Sequence, residues 1–217
     1  MENNTVENIK DKNIGTVSFI FNIIILIFYY MFYLVGELDK TLPLYLYLFI
    51  IYWLLINIIC TFQVGSKSKK VDKFTVTRYF IVNILCGYSV VIAFASIYIM
   101  GAESNGYDVF DYWLYIVEVI ALSWLGIHIR QCSKRAIFKW MDNKLFLWLG
   151  VILKIIALGM IIYLGKIVPT LWQENYFVWG SIVVLIAFEL LIVDLYGDYF
   201  KYLRTPIEEL NNNNSKK

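Results

Sequence analysis

Three charged residues stand in stretches of sequence that are otherwise almost wholly apolar: Glu118, Lys154 and Glu189. A charge at the centre of a helix in hydrocarbon costs about 2.5–3.5 kcal/mol or more, so it is expected to face a partner or a watered cavity. At about 1.5 Å per residue, Lys154, Glu189 and Glu118 lie roughly 15, 12 and 18 Å from the basic ends of their segments. The base is thus bracketed in depth by two acids. Two chemistries fit: a structural ion pair that fixes helix register, or a charged midplane site on a substrate or ion pathway. Pairing of Lys154 with Glu118, Glu189 or both lowers the cost of burial. Lys154 shares a helical stripe with Gly150 and Ala157, at i−4 and i+3. Small residues on such a stripe let a second helix approach, so Lys154 is expected to face the bundle.

A second group, His128, Cys132, Asp194 and Asp198, gathers near the ends of two apolar segments. His128 is the single histidine, which excludes a multi-histidine metal or haem site. Its i, i+4 spacing from Cys132 permits a Cys–His contact, but the sequence names no third group to orient the ring. With the two aspartates, one turn apart, this set is what an intramembrane enzyme acting on lipid would need, with basic loops holding anionic headgroups. The plainer alternative is that the loops only set topology and the aspartates are helix-end acids near Lys201 and Arg204. Asn22, Asn57 and Asn83 are polar residues for helix interfaces, each able to bond across helices for about 1 kcal/mol. Gly87, Ser89, Ala93 and Ser96 give the third segment a small face and a central place.

Other chemistries are excluded by what is missing. There is no phosphate-binding glycine loop, no HExxH and no Gly-x-Ser-x-Gly. The Gly197–Asp198 pair lacks the first glycine of the Gly-x-Gly-Asp of intramembrane aspartyl proteases. The cysteines Cys60, Cys86 and Cys132 show no metal or redox spacing. No cofactor and no metal is expected, and no catalytic constellation emerges.

These side chains need elements to position them, and the composition says which. The chain of 217 residues is 60% hydrophobic with mean hydropathy +0.64, against about 45–50% apolar in a soluble domain. Six apolar runs, about 16–35, 42–64, 79–100, 110–129, 145–165 and 176–199, are each near the roughly 20 residues that cross a hydrocarbon core of about 30 Å. The expected fold is all-α, a polytopic six-helix transmembrane bundle. Residues 1–15 are expected as a disordered tail, and 201–217 as a polar, Asn-rich tail.

Sixteen of the nineteen Lys and Arg residues fall in the two tails and in the second and fourth loops. The positive-inside rule then puts both termini in the cytosol, and an even number of spans independently requires that they share a side. The expected localisation is a multi-pass integral membrane protein of the plasma membrane or an endomembrane. Basic residues confined to loops beside apolar spans exclude a nucleic-acid surface. The expected partners are the lipid bilayer and a membrane-protein partner or second copy. The favoured function is a small-solute or ion transporter, or a transporter's membrane subunit, built on the charged midplane. The alternatives are a non-catalytic scaffold, immunity or assembly factor, and an intramembrane lipid-modifying enzyme.

Overall fold

The fold comes from a computed structural model that describes residues 3–10, 13–35, 42–65, 72–135, 137 and 139–204. Seven α-helices follow in order: α1 (Asn3–Lys10), α2 (Ile14–Val35), α3 (Leu44–Gly65), α4 (Lys73–Ser104), α5 (Phe110–Lys134), α6 (Lys144–Ile167) and α7 (Tyr176–Arg204). A 3₁₀ turn, Lys139–Met141, precedes α6. Six of the helices are long and apolar enough to cross a membrane. The described residues contain no strand.

Helix positions follow the apolar runs, but most helices outlast them. The third run, 79–100, sits within the 32 residues of α4. The extension begins where the Asp72 side chain caps the helix by accepting from the Thr75 amide at 3.0 Å. A backbone bonded to itself continues into a polar end at little cost, so hydropathy marks the membrane-depth part of a helix rather than its length.

The first residues correct the sequence reading. Asn3–Lys10, expected as part of a disordered tail, form α1. Thr5 and Ile9, one turn apart, are both buried on a face packed against α4 and α7. The last carbonyls of α1 have no partner within the helix. The Asn83 amide donates to that of Ile9 at 2.7 Å, and the Gln63 amide to that of Lys10 at 3.4 Å. At the other end of the chain, 201–204 continue α7, whereas the Asn run at 211–214 lies outside the described residues, as do Lys12, Lys67, Lys69 and Lys70.

Helix α4 is the axis of the bundle. It contacts α1, α2, α3, α5 and α7 and is buried along most of its length. Its small residues do what their spacing implied: Gly87 leaves room for Phe188 and Ile192 of α7, and Tyr29 of α2 donates to the Ala93 carbonyl at 2.8 Å. Hydrogen bonds define two ends. At one, Thr77 meets Tyr199 at 3.0 Å and Arg204 donates to the Arg135 carbonyl, so the ends of α5 and α7 and the start of α4 lie together. At the other, Tyr98 donates to the Pro169 carbonyl at 2.9 Å and Asn105 to Glu174 at 2.6 Å. The first end carries Lys73, Lys134, Lys201 and Arg204; the second carries Glu103, Asp108 and Glu174.

Helices α5 and α6 make the most extensive contact, and two glycines permit it. A β-carbon on Gly126 would lie 2.8 Å from the Gly150 carbonyl oxygen, and one on Gly150 would lie 2.6 Å from the Gly126 carbonyl oxygen. Backbone cannot yield as a flexible side chain can. Gly159, also in α6, would meet nothing within 4 Å.

Glu174 closes the loop between α6 and α7. Its carboxylate accepts from Thr170, from the Leu171 amide at 3.1 Å and from the Trp172 amide at 3.0 Å. Burial works to raise this carboxyl, but the bonds from Thr170 and the loop amides outweigh it and hold it below the usual value.

Two outcomes follow from these contacts. Gly126→Ala and Gly150→Ala should each destabilise the detergent-solubilised protein by about 1–3 kcal/mol through overpacking, while Gly159→Ala should be neutral or slightly stabilising, as read by thermal unfolding. Because folding depresses the Glu174 carboxyl, its contribution is complete above the ordinary carboxylate pKa and is lost as pH falls through its own lower value. The protection factors of the Leu171 and Trp172 amides, taken relative to intrinsic exchange at each pH, should therefore fall on acidification of the native protein, and Glu174→Gln should remove that change in protection.

Candidate functional site

Lys154 of α6 meets Glu189 of α7 in a direct ion pair. Ser123 of α5 lies between them. Its hydroxyl accepts from the Lys154 ammonium at 2.7 Å and donates to Glu189 Oε1 at 2.6 Å, while Glu189 Oε2 takes the second Lys154 proton. Three helices are thereby joined at one point. Both carboxylate oxygens are used and one ammonium proton is left. The Glu189 side chain is 5% exposed and that of Lys154 21%. The pair sits beside the Gly126–Gly150 contact, where a β-carbon on Gly126 would also crowd the Lys154 amide nitrogen at 3.1 Å. The close backbone approach and the ionic bridge are thus one feature.

Glu118 is not part of it. Counting residues from the span ends puts it near Lys154 in depth, but Ser123, about 7.5 Å further along α5, is the residue level with Lys154. At 3.6 residues per turn, five positions before Ser123 is a rotation of about 140°, so Glu118 stands on an exposed face of α5 while Ser123 is buried. Ser123 is the residue that the sequence reading missed. Its signal was the Ser123-x-x-Gly126 spacing, a small face on α5 like those noted on α4 and α6.

A cavity of about 200 Å³ reaches the pair, lined by Lys154 and Glu189 together with Arg130, Gln131 and Val193 among others. It shares Gln131 and Val193 with a wider cavity of about 710 Å³ at the basic end, between the ends of α5 and α7. The wider cavity is lined by Lys134, Arg135, Lys201 and Arg204 and also by Asp194 and Asp198. The two cavities therefore adjoin at Gln131 and Val193, one beside Lys154 and Glu189 and the other at the basic end of the bundle.

His128, Cys132, Asp194 and Asp198 do not form one site. His128 Nδ1 lies 2.8 Å from the Tyr196 hydroxyl, and Cys132 Sγ lies 3.7 Å from His128 Nε2. Tyr196 supplies the orienting group absent from the sequence reading, yet it and Cys132 are both buried. The aspartates line the wide cavity instead, because two residues along α7 from Tyr196 is a turn of about 200°. Gly197 has a packing role: a β-carbon there would lie 3.0 Å from an Arg135 guanidinium nitrogen.

The asparagines serve interfaces. Asn22 of α2 donates to Asn57 of α3 at 2.8 Å and accepts from the Trp53 indole at 3.1 Å. Cys86 of α4 donates to Asn57 at 3.3 Å, and Cys86 and Ser18 are 3.3 Å apart. Asn83 belongs to a different contact, holding α1 and accepting weakly from Cys60 at 3.5 Å. All three cysteines are free and buried. Among the described residues, no group of three or more His, Cys, Asp and Glu side chains could hold a metal ion.

Removal of one member of a buried pair strands the other, at about 3–5 kcal/mol. Lys154→Met and Glu189→Leu should each destabilise the protein by that order, and the double variant should recover most of the loss, measured by thermal unfolding in one detergent.

No curated protein and no solved structure matches this chain. One family model matches it over residues 3–214, nearly its full length, and the chain belongs to that family, the domain of unknown function DUF5079.

Proposed function

We propose that this integral membrane protein is a small-solute or ion transporter, or a transporter's membrane subunit, with Lys154 and Glu189 as its charged midplane site. Both termini face the cytosol in this reading, since the basic end of the bundle holds the Lys and Arg residues that the positive-inside rule retains there. The observation that carries it is the open volume beside the charges: one cavity is lined by Lys154 and Glu189, and it shares Gln131 and Val193 with a wider cavity at the basic end. An ionic contact that served packing alone would need no cavity beside it, and intramembrane charges commonly mark ion and substrate paths. Lys154 keeps one donor for a passing anion, water or carbonyl, and Glu189 can exchange its partner for a cation or proton.

A second reading has its own support. Ser123 ties the pair to α5 beside the most extensive helix contact in the bundle, which is what a register-fixing bridge requires. That reading suits a non-catalytic scaffold or assembly factor.

Lys154→Ala in cells and in proteoliposomes separates them. Loss of flux of an imposed ion or pH gradient, with membrane abundance unchanged, supports transport. Loss of abundance alone, or a wild-type protein that dissipates no gradient, leaves the bridge as packing. Reporter tags at both termini should read cytosolic; opposite sides would overturn the six-span topology.

A further inference from the structure

The wide cavity at the basic end contains an asymmetry that the ion-pair site does not explain. Two buried polar atoms on its wall have no hydrogen-bond partner: Arg135 Nε, a donor, and Gln131 Oε1, an acceptor. Gln131 is only 4% exposed. A buried group left unmatched costs about 1–3 kcal/mol, and the two residues, Gln131 in the last turn of α5 and Arg135 just past its end, line the same space. Such a pair is complementary to a ligand that both accepts and donates.

The charges around them have the same duality. Lys134, Arg135, Lys201 and Arg204 line the cavity together with Asp194 and Asp198. Asp198 and Lys201 already have partners, which leaves the case to Arg135 and Gln131. A simple anion would meet the arginine but face two carboxylates. A simple cation would meet the carboxylates but face four bases. A zwitterion satisfies both signs. Arginine forks match phosphate oxygens, and a volume of about 710 Å³ falls within the range of small-ligand sites. Gly197 leaves room for the fork, since a β-carbon there would press on the guanidinium.

We infer that this cavity binds a phosphate ester carrying a primary ammonium, with the phosphate on Arg135 and an ammonium N–H on Gln131 Oε1. The group can arrive as a lipid headgroup, for the cavity lies among the residues that flank the apolar part of α7, or as a free solute. Binding at this site does not require that Lys154 and Glu189 carry anything.

The test uses the purified full-length chain in detergent, offered equal amounts of phosphatidylethanolamine and phosphatidylcholine with the same acyl chains, with bound lipid counted by native mass spectrometry. Phosphatidylcholine has the same phosphate but no N–H to give. Phosphoethanolamine, inorganic phosphate and ethanolamine are titrated separately by calorimetry. The expected result is about a tenfold preference for the ammonium-bearing member, the ratio that one well-placed hydrogen bond gives. Gln131→Leu should abolish that preference, and Arg135→Lys, which keeps the charge but loses Nε–H, should weaken binding of both lipids. Preference for phosphatidylethanolamine without phosphoethanolamine binding identifies a headgroup, and the reverse a free solute. Equal retention of the two lipids with no phosphoethanolamine binding by the wild-type protein overturns the site. So does inorganic phosphate binding as tightly as phosphoethanolamine. Neither result bears on gradient dissipation through Lys154.

Discussion

A lysine in the middle of an apolar helix has to find its counter-charge inside the bundle, and the packing of α5, α6 and α7 is organised around that requirement. Lys154 reaches Glu189 across one interface and Ser123 across another. The arrangement demands that α5 and α6 come together backbone to backbone, which Gly126 and Gly150 allow. In hydrocarbon there is no general hydrophobic drive between helices; close packing and interhelical hydrogen bonds must supply it. The ionic bridge and the glycine contact therefore depend on each other. The glycines set the distance at which the serine can reach both charges, and the charges select the rotation at which the glycines meet.

The same economy of polar groups runs through the rest of the bundle. Asn22, Asn57, Cys86 and Ser18 tie α2, α3 and α4 through a small network. Asn83 and Gln63 spend their amides on the open carbonyls at the end of α1, which is why a short polar helix is held in place at all. Glu174 collects loop donors between α6 and α7. In each case a polar side chain answers a backbone or side-chain group that would otherwise be unmatched away from water. Against that background, the unmatched atoms of Arg135 and Gln131 stand out, because both residues line an open cavity and neither atom has a protein partner.

Much of this was legible in the residues. Length and hydropathy located six long helices, since a run of about 20 apolar residues has few alternatives. Small residues correctly made α4 central, and the stripe of Gly150, Lys154 and Ala157 correctly turned Lys154 inward. What failed, failed for identifiable reasons. Glu118 lies about 140° around α5 from Ser123 and about 7.5 Å away along its axis, so it misses Lys154 in both coordinates. Asn3–Lys10 looked like a tail because eight residues with two apolar ones on one face carry too little hydropathy to register; the partners that hold it lie 53 and 74 positions away. Tyr196, the orienting group for His128, is 68 positions distant and one of 17 tyrosines.

The sequence by itself determined the class of element, the number of long helices and the position of each charge along its helix, because these depend on composition along a single axis. Tertiary structure alone decided which acid Lys154 takes, that Ser123 stands between them, and that the ends of α5 and α7 enclose a cavity of mixed charge. Those outcomes rest on the rotation of each helix about its own axis. Rotation is set by how neighbouring surfaces fit, and no helix carries that information alone.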